Sequence, residues 1–269
     1  MEKEQRDKLF QQAKAWVLNA GENIRQKIND PLEINTKSDA NDLVTAMDQE
    51  TELFFTSNIK ETYPSHSIVS EEGYGDELTD LGGTVWIIDP IDGTMNFVHQ
   101  KRNFAISVGI YQDGIGEIGI IYDVMADIIF TAKRGEGAFK NGEKLPPLDK
   151  NKNFAEVILG LNHFWLCENR LVDERLMQQL VKTIRGTRTY GSAALEFAYT
   201  AEGIMDGYLS MNLSPWDVAA GMVIVQETGG ITTTINGEAV SLLEKGSIIT
   251  CNTSIQQQLL SEYLQKGRK

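Results

Sequence analysis

The sequence predicts a layered sandwich of helices and sheets, α+β in its first half and α/β in its second. One observation is a series of strand-like apolar runs between Thr84 and Ala132 whose short connectors imply antiparallel pairing. The other is a change of pattern after Pro146-Pro147, where strand-like and helix-like segments alternate. A chain of 269 residues, 41% of them hydrophobic, is long enough to bury a substantial core as one large domain or two small ones. The expected division is 1–145 and 146–269, packed as one rigid unit, because no repeat, low-complexity segment or flexible linker is present.

In chain order, Leu9, Phe10, Ala13, Val17, Ala20, Ile24 and Ile28 recur at helical spacing, so the first thirty residues form an amphipathic helix ending near Asn29-Asp30-Pro31. A polar loop from Asn35 to Asn41 leads to a second helix from Asp48, whose acidic start suits the positive end of its dipole. Ser67 to Ser70 is a short strand that delivers Glu71 and Glu72 at its end. Strands follow at Thr84 to Ile88, Ala105 to Tyr111, Ile115 to Tyr122 and Asp127 to Ala132, and the turn Asn141-Gly142 closes this half. The second half reads as strand Glu156 to Leu161, helices Glu168 to Thr183 and Ala193 to Glu202, and strand Asp206 to Leu209. Helix Asp217 to Thr228, strand Ser247 to Thr250 and helix Ser254 to Leu264 complete it.

Composition excludes several classes of function. The two cysteines, Cys167 and Cys251, lie far apart and outside any zinc-ligand spacing, so neither a disulfide nor zinc is expected. No apolar run approaches the roughly 18 residues of a membrane span, and the first residues carry no signal-peptide pattern. The expected setting is cytoplasmic. A net charge of −13 repels nucleic acid, and it repels a phosphate ester equally. An anionic substrate therefore needs bound divalent cations to invert the local sign. The alternative reading of the excess acid is a solvated surface that keeps the protein soluble.

The most informative stretch runs from Trp86 to Phe97, where an apolar strand ends in Asp89-Pro90-Ile91-Asp92-Gly93-Thr94. Pro90 lacks the N–H that a ladder needs, which places both aspartates just beyond the sheet edge on a tight turn. Magnesium takes hard oxygen ligands and few protein carboxylates, so Asp89, Asp92 and a main-chain carbonyl on such a turn suit it. Gly93 permits close backbone approach, and a helix beginning there aims its free N–H groups at the same point. Thr94 adds a hydroxyl able to orient a water. An Asx-turn capping a helix accounts for the same spacing. Likewise Glu71-Glu72 suits a solvated loop, and Asp217 after Pro215-Trp216 suits a helix start.

Together these segments resemble the inositol monophosphatase family, which is magnesium-dependent and lithium-sensitive. The matching stretches are Asp42 to Asp48, Glu71-Glu72-Gly73, Trp86 to His99, Gly135 to Gly142, Gly191 to Ala194 and Trp216 to Gly221, which span most of the chain. The resemblance implies an αβαβα sandwich of the sugar-phosphatase type. It implies that Glu71, Asp89 and the Ile91 carbonyl hold a first Mg2+, and that Asp89, Asp92 and Asp217 hold a second, with a third, looser ion associated with Glu71. By the same resemblance Glu72, Thr94 and Asp48 orient or deprotonate the attacking water, Thr94 relaying to Asp48. The resemblance further implies that main-chain groups of Gly93, Thr94, Gly191, Ser192 and Ala193 bind the substrate, and that the chain forms a homodimer.

One position departs from the family pattern. Counting back from Trp216-Asp217 puts Ser210 where a glutamate that binds inositol hydroxyls is typical. A shorter, uncharged side chain opens the pocket to other small esters, including fructose bisphosphate, histidinol phosphate and the 2'-phosphate of NADP. A regulatory binding protein on the same scaffold is the rival from another class; against it, every carboxylate position is filled, and unneutralised clustered acids cost stability. A phospho-aspartate mechanism lacks its nucleophile, because Pro90 stands two before Asp92. Gly114-Ile-Gly116-Glu-Ile-Gly119 satisfies a dinucleotide fingerprint but is followed by a strand-like run rather than a helix, so it reads as a β-turn. His66, His99 and His163 read as structural or exposed.

Overall fold

The computed structural model describes residues 1–30, 34–36 and 43–265. The chain begins with α1 (Lys3–Lys27), the antiparallel pair β1 (Ile34–Thr36) and β2 (Leu43–Thr45), and α2 (Ala46–Thr62). Then come β3 (Ser67–Ser70), β4 (Thr84–Asp92), α3 (Thr94–Gln100), β5 (Ala105–Gln112), β6 (Ile115–Asp123), β7 (Ile128–Lys133), β8 (Gly137–Lys140) and β9 (Glu143–Lys144). The second half holds β10 (Ile158–Leu161), α4 (Glu174–Thr183), β11 (Gly186–Arg188), α5 (Ala193–Glu202), β12 (Gly207–Leu213) and α6 (Pro215–Glu227). It ends with β13 (Ile231–Thr233), β14 (Gly246–Cys251), α7 (Thr253–Leu259) and a π-helical turn, Leu260–Leu264.

Strands β3 to β9 form one sheet in sequence order, antiparallel throughout except for the β3–β4 pair. A second sheet has the order β11-β10-β12-β14-β13, with β10 parallel to both its neighbours and the remaining pairs antiparallel. Side chains alternate across each strand, so each sheet offers two apolar faces that need cover. On one face of the first sheet, Trp86, Ile88, Ile106, Val108 and Tyr122 pack against Val17, Ile24, Phe55 and Ile59 of α1 and α2. On its other face, Val85, Ile87, Ala105 and Ile121 pack against Ala194, Phe197, Ala220 and Ile224 of α5 and α6. The same two helices meet Tyr208 and Ile248 of the second sheet, whose outer face is covered by α4 and α7. The layers therefore run αβαβα, and the α5–α6 layer is shared by both sheets. A Cβ at Gly119 would stand 2.4 Å from the Ala220 carbonyl oxygen, so a side chain there would lift α6 off the first sheet.

Several elements differ from the sequence expectation, each for a local reason. Asp89 and Asp92 lie inside β4, paired with Ser107 and Ala105, rather than beyond the sheet. Strand β3 stops opposite Ile88, and a bulge between Asp89 and Asp92 takes Pro90 out of the ladder. Helix α4 starts at Glu174 because Asp173 caps it, accepting from the Arg175 amide at 2.8 Å, while His163–Leu166 forms a 3-10 turn. A second such turn, Phe154–Glu156, delays β10 to Ile158. Of the expected polar loop, Asn35 and Thr36 belong to strand β1, and residues 37–41 lie outside the described residues, as do Pro31 and Asp42. Asn141-Gly142 does turn the chain between β8 and β9, and the glycine-rich fingerprint is the β5–β6 hairpin followed by strand. Strands β1, β2, β8, β9, β11 and β13 are absent from the sequence expectation.

Candidate active site

The bulge in β4 decides where its aspartates point. Residues three apart on a regular strand face opposite sides, and one extra residue restores them to the same side. Asp217, in the first turn of α6, completes the group: carboxylate oxygens of Asp89, Asp92 and Asp217 lie within 4.8 Å of one another. Each is held by backbone. The Ile91 amide donates to Asp89 Oδ1 at 3.0 Å, and the Ser214 amide donates to Asp217 Oδ2 at 2.6 Å. Asp92 accepts from the Ser192 hydroxyl and from the Ala193 and Ala194 amides at 3.2 and 2.8 Å. The expected side-chain cap on the helix after Asp92 is not formed, since α3 begins after Gly93 without one, and Asp92 instead receives the first amides of α5.

Burial pushes all three acids up. Asp89 stands well above the usual carboxylate range, through burial first and then the charges of Glu71, Asp92 and Asp217. Burial raises Asp92 to about 6 against the opposing bonds from Ser192 and Ala194, and burial plus the Asp92 charge raises Asp217 to about 8. Among the described residues no lysine or arginine forms an ion pair with any of them. Converging hard oxygen donors with an unbalanced negative charge fit Mg2+.

Beside the cluster, the Thr94 hydroxyl lies 3.3 Å from Asp48 Oδ1 and 3.2 Å from the Ile91 carbonyl oxygen. Asp48 is buried at the start of α2, where it closes a capping box with Thr45, and burial raises it to about 6. Gly93, with φ 93°, caps α3 in the left-handed region; a Cβ there would sit 3.0 Å from the Gly191 carbonyl. The backbone at Gly93 therefore runs close against the loop of Gly191, Ser192 and Ala193. Ser210 is buried on β12, hydrogen-bonded to Tyr208, and lines a cavity of about 350 Å³ with Asp92, Gly191, Ser192 and Asp217. Glu71 and Glu72 are half-buried directly after β3, and the charge of Glu71 acts on Asp48 and all three clustered aspartates. His66 accepts from Trp86 Nε1 at 3.0 Å, whereas His99 and His163 are exposed.

Three residues of the surroundings were missed by sequence reasoning. Asn96 donates to the Tyr190 and Asn103 carbonyls at 2.7 and 2.8 Å, and Glu196 accepts from the Tyr190 amide at 2.8 Å. Buried Glu52 accepts from Ser70, Glu72 and Tyr74. The available signal was an acid on an apolar helix face: Glu52 falls between buried Met47 and Phe55, and Glu196 among Ala193, Ala194 and Phe197.

The sequence model of the inositol monophosphatase family matches residues 5–268. The chain belongs to the inositol monophosphatase family. It is 53% identical over 252 residues to the inositol-1-monophosphatase of Bacillus subtilis strain 168, covering 94% of this chain and 95% of that one. Its structure resembles staphylococcal SaIMPase-II crystallised with inositol monophosphate, at a TM-score of 0.86, 39% identity and coverage of 96% and 94%. The 2'AMP-bound form of SaIMPase-II gives 0.88, 40% identity and coverage of 96% and 95%. This inositol monophosphatase family member is a phosphoric monoester hydrolase that uses Mg2+, and the three converging aspartates are a donor set suited to that ion. No helix among the described residues is long and apolar enough to cross a membrane.

Proposed function

We propose that Glu71, Asp89, the Ile91 carbonyl, Asp92 and Asp217 hold two or three Mg2+ ions in this phosphomonoesterase, and that Glu72, Thr94 and Asp48 act on the attacking water. The convergence of Asp89, Asp92 and Asp217 from two distant parts of the chain carries this reading. When bound, Mg2+ supplies neutralising positive charge at the phosphoryl group. Thr94, between Asp48 and the Ile91 carbonyl, accepts a proton from water as it passes its own to Asp48 Oδ1. Phosphoryl transfer needs chiefly positioning and charge neutralisation, so a centre without histidine suffices. Main-chain groups of Gly93, Thr94, Gly191, Ser192 and Ala193 seat the ester. Residues 1–145 and 146–269 act as one rigid unit around it, a reading supported by the core that α5 and α6 share with both sheets.

The substrate is a small soluble ester, and the pocket is permissive beyond inositol phosphates. Ser210, Asn162, Asn212 and Tyr208 line the cavity with uncharged polar groups that suit sugar or ribose hydroxyls. Binding of inositol monophosphate and of 2'AMP by one similar enzyme supports that breadth. A panel of inositol phosphates, fructose bisphosphate, NADP, histidinol phosphate and adenosine 3',5'-bisphosphate at millimolar Mg2+ tests it, with turnover of both an inositol phosphate and a 2'-phosphate expected. Hydrolysis of none of them would transfer the assignment to a binding role. The protein is further proposed to be a cytoplasmic homodimer, which light scattering on the purified chain checks for its oligomeric part.

A further inference from the structure

We propose that Glu52 is a positioning residue that sets the loop carrying Glu71 and Glu72 at a fixed distance from Thr94, with helix α2 as the ruler. The proposal rests on the role given above to Glu72. Glu52 is fully buried, at 0% exposure, and no lysine or arginine among the described residues pairs with it. Its Oε1 accepts from the Ser70 hydroxyl at 2.6 Å and the Tyr74 amide at 2.9 Å, and its Oε2 accepts from the Glu72 amide at 2.6 Å. A buried carboxylate is costly unless hydrogen-bonded, and here all three donors belong to the segment 70–74. The carboxylate therefore cannot be satisfied unless that segment adopts this one path.

Four residues earlier on the same helix, Asp48 Oδ1 accepts from Thr94. Residues four apart lie on one face of a helix, about 6 Å apart along its axis. One helix turn thus holds both sides of the water-activating set: Asp48 grips Thr94, and Glu52 grips the backbone under Glu72. Glu52 touches neither the clustered aspartates nor the cavity, so its effect passes through the loop alone.

The test compares E52Q and S70A with wild type and with E72Q. In E52Q the side-chain volume is kept, but an amide nitrogen that cannot accept faces one of the donors. Backbone amide exchange at Glu72 and Tyr74, followed by NMR in Mg2+-free protein, reads the loop without reference to turnover. We expect exchange at both amides about tenfold faster or more. With saturating Mg2+, kcat should fall roughly 10- to 100-fold while the substrate KM stays within about twofold. S70A, which loses one bond of three and keeps the Glu52 side chain, should move both readouts the same way by less, and it supplies the result should E52Q not fold. Unchanged exchange in the folded variants overturns the proposal. So does faster exchange with wild-type kcat, provided E72Q has lost turnover. Wild-type kcat in E72Q instead defeats the role assigned to Glu72, and the exchange data separate that failure from a loop that was never held.

Discussion

Two acidic regions of this molecule solve the problem of buried negative charge in opposite ways. Where α1 meets β6 and β7, buried Glu117 lies 3.0 Å from Arg6 and 3.4 Å from Arg134, and Arg6 also reaches Glu136 at 3.1 Å. Asp7 in the same network is lowered to about 2 by its bonds to Lys133 and Lys3. At the aspartate cluster Asp89 and Asp92 are buried and Asp217 is half-buried, but their values rise and no lysine or arginine among the described residues pairs with them. Acids folded together with their counter-charges hold the structure; acids folded without them leave a socket for a cation from solution. The net charge of −13 hides this distinction, which only the pairing reveals.

The contrast is sharpest in a pair of isosteric substitutions. D89N removes a carboxylate that would help to hold Mg2+ under the proposal above, so turnover should fall on the order of 10³-fold or more. Metal-free D89N should nonetheless melt above metal-free wild type at alkaline pH, because an acid whose ionisation is opposed by burial and by the charges of Glu71, Asp92 and Asp217 becomes a neutral amide. E117Q should do the reverse. It leaves Arg6 beside a neutral group and should cost about 3 kcal/mol of stability while turnover stays within about twofold. Calorimetry and initial rates on the two variants check both halves, and a D89N protein less stable than wild type without metal breaks the comparison.

Proton linkage separates the regions next. Asp92 at about 6 and Asp217 at about 8 exceed an unfolded value near 3.9, so the stability they contribute is full below about pH 4 and is lost as pH rises through about 6 and 8. Asp7, lowered to about 2, contributes above about pH 4 and loses that contribution as pH falls toward about 2. Metal-free protein should therefore lose melting temperature from pH 5 to pH 8.5. Mg2+ at roughly 100 times its dissociation constant should restore about 2.7 kcal/mol at the alkaline end. The acid limb should not respond to Mg2+. An alkaline loss that persists in saturating Mg2+ places its origin outside the cluster.

What the sequence made legible follows the same division between local and distant causes. Helix α5 begins and ends where expected because Ser192 caps it and Gly203 ends it in the left-handed region, both local signals. The clustered aspartates stood out because each interrupts or opens an apolar segment. Strands β11 and β13, three residues each, depend on neighbours far along the chain and carry no period of their own. Asp92 caps a helix whose first residues lie 100 positions away, which no local pattern records. Glu52 and Asn96 act on backbone atoms of other segments, so by spacing alone each was one more polar residue on a helix. In place of the turn expected at Pro90 there is a bulged strand end: β3 stops opposite Ile88, and a shift of register against β5 takes up Pro90.

The smallest effect concerns Ser210, and it tests whether the cluster tolerates more of what defines it. S210E puts a fourth carboxylate on a cavity wall already shared with Asp92 and Asp217, where Ser210 is only 7% exposed. Without metal the new charge should lower the melting temperature, since burial and repulsion act on it as they act on its neighbours. With Mg2+ the repulsion is offset, and a carboxylate offers charge-assisted bonds to vicinal hydroxyls that a serine cannot match. We expect kcat/KM for inositol monophosphate to rise about tenfold relative to 2'AMP, the amount one such bond contributes. Competition assays with the two esters measure that ratio. A ratio that stays put while the metal-free protein is destabilised would place hydroxyl recognition away from β12, although the un-neutralised character of the cavity would stand.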